Sequence, residues 1–122
     1  MSQKKVLIID DSTVTRLMIK KIILQTNPNC EIEEADTADK VQELFPIQPN
    51  FDLITLDQNM PGNLSGLDLV ENWKTKQQDL SIVLITANIQ DTIKNRAKSL
   101  GIDLVEKPIS LEKLSPYIQQ YL

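Results

Sequence analysis

Histidine is absent from this 122-residue chain, and cysteine, with one residue, and glycine, with three, are scarce. Without histidine there is no Ser-His-Asp or Cys-His catalysis, no imidazole metal ligand and no phosphohistidine carrier. Gly62, Gly66 and Gly101 are too few for a glycine-rich phosphate cradle. The lone Cys30 excludes an intramolecular disulfide, and at the start of an expected strand it reads as a small buried thiol in a reducing compartment. Positive charge does not dominate either. The 13 basic residues face 17 acidic ones, a net charge of −4, so general binding to nucleic acid or anionic membrane has no electrostatic basis. Long apolar runs are missing too: after Lys4 and Lys5 only a short apolar run precedes Asp10, too short for a signal peptide or a membrane span. A cytoplasmic location is therefore expected. The chemistry left to this chain must use carboxylates, lysine or hydroxyls.

What is present is a set of short apolar runs that end on polar residues. Leu53, Ile54 and Leu56 sit between Asp52 and Asp57, the pattern of a central strand buried on both faces. A carboxylate at the end of such a strand is costly to bury unless something there uses it. Val6 to Ile9 runs into Asp10 and Asp11, residues 80–86 end on Thr86, and residues 103–106 lead to Lys107.

Between these runs the pattern turns helical. Ser12 or Asp11 caps a first helix reaching about Gln25, with Val14, Leu17, Met18 and Ile22 expected to face the core and Arg16, Lys20 and Lys21 to face outward. Asn27-Pro28-Asn29 ends it, and residues 30–35 alternate like an edge strand. A short helix with Val41, Leu44 and Phe45 follows, ended by Pro46 and Pro49. A loop from Pro61 to Gly66 leads to a helix from about Leu67 that carries Leu67, Val70 and Trp73 on one face, with core packing the default for Trp73. Residues 89–100 are helical, and Gly101 is suited to a left-handed stop. Ser110 caps a last helix over residues 111–122, which Pro116 is expected to interrupt.

Five strands alternating with five helices call for an α/β fold: a doubly wound (βα)5 parallel sheet in one domain spanning residues 1–122. Right-handed crossovers gather the strand C-termini on one edge, where ligands bind in such sheets. Asp10, Asp11, Asp57, Thr86 and Lys107 therefore share one side of the molecule. Converging carboxylates repel, and oxygen donors without imidazole or thiolate favour Mg2+ or Mn2+. A metal beside an acid, with a lysine and a hydroxyl nearby, suits the placing of a phosphoryl group on an aspartate.

Ile9-Asp10-Asp11-Ser12, Leu56-Asp57-Gln58-Asn59-Met60-Pro61, Ile85-Thr86-Ala87 and Lys107-Pro108 stand in an order that resembles the two-component response-regulator receiver domain, of the single-domain CheY-like kind. The resemblance covers essentially the whole chain. It implies a flavodoxin-like sheet with strand order 2-1-3-4-5. It implies Asp57 as phospho-acceptor, Mg2+ held by Asp11, Asp57 and the backbone carbonyl of Asn59 with Asp10 acting through water, and a phosphoryl group met by Thr86, Ala87 and Lys107. A cis Lys107-Pro108 bond is also implied. Three features depart from the family pattern: Leu104 stands where an aromatic switch residue is usual, the loop from Pro61 to Gly66 is one residue longer, and Gln58 replaces a frequent tryptophan.

The resemblance further implies a sensor histidine kinase or phosphotransfer protein as donor and a downstream protein as target, docked on the fourth helix, fifth strand and fifth helix. A flagellar motor switch, in chemotaxis, is the leading expectation for that target. With the chain ending at the fifth helix, output is expected from a surface that changes on phosphorylation. Rival classes fit less well. An aspartate-nucleophile phosphatase needs Asp-x-Asp where this chain has Asp57-x-Asn59, and a flavodoxin's phosphate would be repelled by Asp10 and Asp11. A phosphorylation-independent interaction module or a phosphate sink would be the alternative within the family.

Overall fold

In the computed structural model, which describes residues 3–44, 50–76 and 80–122, a five-stranded parallel sheet lies between two helical layers. The elements alternate as β1 (Lys5–Ile9), α1 (Thr13–Thr26), β2 (Glu31–Ala35), α2 (Ala38–Leu44), β3 (Leu53–Leu56), α3 (Gly66–Lys74), β4 (Ile82–Thr86), α4 (Asp91–Ser99), β5 (Asp103–Glu106) and α5 (Leu111–Tyr121). The strand order is β2-β1-β3-β4-β5, as expected from the resemblance. The order reverses direction at β1 and β3, whose C-terminal ends carry Asp10 and Asp57.

Period-two alternation divides the sheet's side chains between two cores. Leu7, Ile9, Ile54, Leu56, Ile82 and Leu84 pack against α2, α3 and α4, where Val41, Val70, Trp73 and Ala97 meet them. Val6, Ile8, Leu53, Val83, Ile85 and Val105 point the other way, onto Ile19, Ile22 and Ile23 of α1 and Leu114 and Ile118 of α5. All four residues of β3 and all five of β4 are buried, which is what strands covered on both faces require. The edge strand β2 is mostly exposed.

Of the residues of helix α1 expected to face inward, only Ile22 does so. Val14, Leu17 and Met18 are exposed, while Ile19, Ile22 and Ile23 are buried. Apolar residues at 14, 17, 18, 19, 22, 23 and 24 cover more than one helical face, and the β-branched stripe at 19, 22 and 23 is the one that fits against the sheet and α5. Arg16, expected on the outside, is instead largely covered, with its side chain 15% exposed. Pro116 does not interrupt α5, which runs unbroken from Leu111 to Tyr121. The proline is exposed, so the carbonyl it leaves without a donor, that of Glu112, lies on the solvent side, and Leu114 and Ile118 anchor the helix on either side.

Other local expectations hold with small shifts of boundary. Ser12, not Asp11, caps α1 by accepting the Thr15 N–H at 3.2 Å. Ser110 caps α5, Gly101 takes φ +70° after α4, and the Lys107-Pro108 bond is cis. Phe45, Pro46 and Pro49, which were expected to close α2, lie outside the described residues. Tyr121 pins the end of α5 to β5 by donating to Asp103 Oδ2 at 2.7 Å, and burial together with that contact pushes its phenol up to about 12.

One buried polar atom is left over. Thr55 Oγ1, in the middle of β3, is buried without a hydrogen-bond partner among the described residues. Its register neighbours are Ile8 and Val83, both apolar. Thr55→Val replaces the unmatched hydroxyl with a methyl of similar size, so it should stabilise the fold by about 1 kcal/mol. Thermal denaturation checks this, with an expected rise in Tm of roughly 3–5 °C. A fall in Tm would mean that the hydroxyl is hydrogen-bonded.

Candidate functional site

The C-terminal edge of the sheet brings together the residues that end its strands. Asp10 follows β1 and is buried, its own N–H bonded to the Ala35 carbonyl at 3.1 Å. Asp57 follows β3 and is also buried, its N–H bonded to the Ile9 carbonyl at 3.0 Å. Asp11 projects into solvent from the turn before α1. One carboxylate oxygen from each of the three lies within 4.8 Å of the others.

Lys107, just past β5, reaches across to the two buried acids. Its Nζ lies 2.9 Å from Asp10 Oδ2 and 3.1 Å from Asp57 Oδ2. Burial alone would lower the lysine's pKa, but hydrogen bonds and charge attraction from Asp10 and Asp57 outweigh it and hold the ammonium above its ordinary value. The Lys107 main chain is fixed by its N–H to the Thr86 carbonyl at 3.0 Å. Thr86 itself is buried at the end of β4, and its Oγ1 accepts the Asn88 N–H at 3.1 Å, tying down the turn into α4. Ala87 is exposed beside it. Leu104 is half-buried and packs against the core layer of α2, α3 and α4.

The remaining oxygens are also accounted for. Asp10 Oδ1 accepts the Ser12 N–H at 2.9 Å, and Asp57 Oδ1 accepts the Gln58 N–H at 2.8 Å. Two of three clustered carboxylates thus share one ammonium, and the third, Asp11, makes no ion pair among the described residues. The deficit of positive charge and the all-oxygen donor set fit a hard divalent cation such as Mg2+. Asp11 and Asn59 line one open cavity of about 550 Å3, walled by the loop over residues 59–65 and by Asp68.

Three supporting residues were not apparent from the sequence as such. Arg16 donates from Nη1 to the Asp10 carbonyl and from Nε to Glu34 Oε1 at 3.2 Å, so it braces the acidic turn against β2. Gln58 is buried, and its Oε1 accepts the Leu67 N–H at 2.8 Å while its carbonyl accepts the Gly66 N–H at 3.0 Å. Both bonds dock the start of α3 on the residue next to Asp57. Gly66 is required there, since a Cβ would stand 2.2 Å from the Asp57 carbonyl oxygen. Asp39 is the third, holding the loop after β3 from the side of α2. At the far end of that loop Ser65 and Asp68 form a capping box, and Asp68, held below the usual carboxylate range by Arg96 and then by the Ser65 N–H, links α3 to α4. Arg96 also reaches Glu71, at 2.8 Å.

The chain is similar to known proteins over nearly its whole length. The family model for the response regulator receiver domain matches residues 6–119. Sensor protein EvgS of Escherichia coli K12 is 32% identical over 118 residues, covering 94% of this chain and 9% of that protein. The protein-glutamate methylesterase/protein-glutamine glutaminase 3 of Vibrio cholerae is 32% identical over 125 residues, covering 95% of this chain and 34% of that protein. The chain thus spans only a minor part of the length of these relatives. Among solved structures, response regulator TrrA of Thermotoga maritima in complex with Mg2+ and BeF is 26% identical, with a TM-score of 0.82 and coverage of 98% of this chain and 100% of that one. Among the described residues no helix is long and apolar enough to cross a membrane.

Proposed function

Since this chain belongs to the response regulator receiver family of two-component signalling, we propose that it takes a phosphoryl group from a phosphohistidine donor onto Asp57 and signals by the resulting change of surface. The observation that carries this reading is Lys107 held between Asp10 and Asp57 with Asp11 beside them. In transfer, an Asp57 carboxylate oxygen forms the bond to phosphorus as the phosphorus–nitrogen bond of the donor breaks, and the leaving imidazole keeps the electron pair. Lys107 moves from carboxylate to phosphoryl oxygen. The Thr86 hydroxyl and the exposed backbone at Ala87 meet the others.

Asp11, Asp57 and the Asn59 carbonyl would hold Mg2+, with Asp10 acting through water; Mn2+ would suit the same oxygens. The metal, when bound, offsets charge on the transferring group. In this reading the domain is a signalling element that promotes only its own aspartyl phosphorylation and dephosphorylation. The domain acts in the cytoplasm, where a sensor histidine kinase or phosphotransfer protein supplies the phosphoryl group. Val14, Leu17 and Met18 offer that donor an apolar surface, and Met18 lines one small cavity with Thr15, Lys107, Pro108 and Ile109, which joins the helix to the mouth of the site. The target is a protein read by the face of α4, β5 and α5, with the flagellar motor switch as the first to test.

Switching follows from the hydrogen bond that Thr86 already makes. Drawing its hydroxyl over to donate to a phosphoryl oxygen carries Oγ1 away from the Asn88 N–H that it accepts, which loosens residues 87–91 and the start of α4. Leu104 has no ring to swing and no hydroxyl to offer, so it repacks as an apolar contact. Adding beryllofluoride and Mg2+ should therefore concentrate NMR chemical-shift changes in residues 86–96, and Leu104→Ala should leave Asp57 phosphorylation nearly intact. If the largest changes outside the site fall on β5 and α5 and vanish in Leu104→Ala, the leucine is the switch and this route is wrong.

A further inference from the structure

We propose that Asp39 is a positioning residue for the metal-binding loop, setting the main chain around Asn59 against Asp11 from a helix that otherwise takes no part in the site. The inference rests on the receiver reading above. Asp39 lies in the first turn of α2. Its Oδ2 accepts the Asn63 N–H at 2.9 Å and its Oδ1 accepts the Leu64 N–H at 3.1 Å. A carboxylate gripping two consecutive N–H groups makes a charge-assisted, two-point contact. Successive N–H groups converge in this way when a residue with positive φ precedes them, which gives a concave anion site. Gly62 supplies that conformation with φ +115°, and a Cβ there would stand 2.5 Å from Asp39 Oδ2. The anion that fills the site is the protein's own side chain.

The rest of the loop makes this contact consequential. Its start is fixed at Gln58 and its end by the Ser65–Asp68 capping box; residues 59–64 between them, with one residue more than the usual spacing of the family, are mostly exposed, with Met60 and Leu64 packed against the core. Those residues form the wall of the cavity opposite Asp11. A main-chain carbonyl can act as a metal ligand only if its loop is held before the ion arrives. Asp39 adds a hold from α2 at Asn63 and Leu64, the last two residues before the Ser65 cap.

The test is Mg2+ titration by calorimetry of the wild type, Asp39→Ala, Asp39→Asn and Asp36→Ala, with NMR amide exchange of Asn63 and Leu64 in EDTA. Asp36 is the charge control, an exposed acid close by whose ion pair is with Lys40. Asp39→Ala should raise the Mg2+ Kd about three- to tenfold, less than the roughly 10–100-fold of losing a partner bonded to a ligand itself, because Asp39 acts through the loop main chain. Asp39→Asn should recover part of this, since its amide oxygen accepts one of the two N–H groups, and Asp36→Ala should match the wild type. Exchange at Asn63 and Leu64 should quicken in Asp39→Ala. Equal Kd values for Asp39→Ala and wild type, or an equal loss in Asp36→Ala, overturn the proposal. If the wild type itself binds no Mg2+, the receiver reading fails, and unchanged exchange at the two amides then overturns the clamp as well.

Discussion

Asp57→Asn should take up no phosphoryl group from acetyl phosphate and Mg2+, under conditions in which the wild type gains one phosphoryl mass by intact mass spectrometry. Asp57 lies buried at the end of β3 in direct contact with Lys107, next to Asn59 and across from the end of β4 that carries Thr86. The asparagine amide keeps the size but removes the anionic nucleophile. It also places an NH2 group against either the Gln58 N–H or the Lys107 ammonium, both of which are donors. Lys107 keeps Asp10 as a partner, so the variant should remain folded. Labelling that survives in the variant would move the acceptor to Asp10 or Asp11. Alkaline pH should have little effect on the site until the lysine titrates. Because its folded pKa lies above the ordinary lysine value, its contribution to stability is complete below that value and is lost only as pH rises through the higher one.

Asp11→Ala should weaken Mg2+ at least about tenfold, because an anionic oxygen ligand is removed from a site that keeps few protein ligands. The exposed acid Glu33→Ala serves as control and should change binding little. Unfolding in EDTA should show the opposite sign, with the variant's midpoint equal to or above that of the wild type. Asp11 lies near two other carboxylates without an ion pair of its own among the described residues, so its loss relieves repulsion. A clear drop in the EDTA midpoint would mean that Asp11 supports the start of α1. The structure gives that task to Ser12.

The positions of Asp10, Asp11, Asp57, Thr86 and Lys107 were legible because each ends an apolar run, and the rules of parallel sheets send all such ends to one edge. The supporting residues were not legible. Arg16, Gln58 and Asp39 act on main-chain atoms of Asp10, Leu67, and Asn63 with Leu64, and no periodicity records which distant N–H or carbonyl a polar side chain will meet. Arg16 looked like an outward charge because its spacing within α1 is that of a surface residue. The inward face of α1 is not legible for a related reason: seven apolar residues cover two faces, and only the shape of α5 and the sheet chooses between them. Pro116 misled because a lost helical hydrogen bond matters far less where water can replace it.

Helix α4 differs from its neighbours in how it is attached. Ala97 is its one buried residue, and its link to α3 is the Arg96 guanidinium shared by Asp68 and Glu71, whose side chains are 42% and 49% exposed. Exposed ion pairs contribute about 0–1 kcal/mol, and salt screens them. In a hierarchy of local opening, such an element sits near the bottom, detaching at a small fraction of the free energy that unfolds the whole domain. A signal starting at Thr86 therefore meets little resistance. In this reading the buried strands β3 and β4 keep their places while α4, anchored by Ala97 and the partly buried Ile93, is the element that gives.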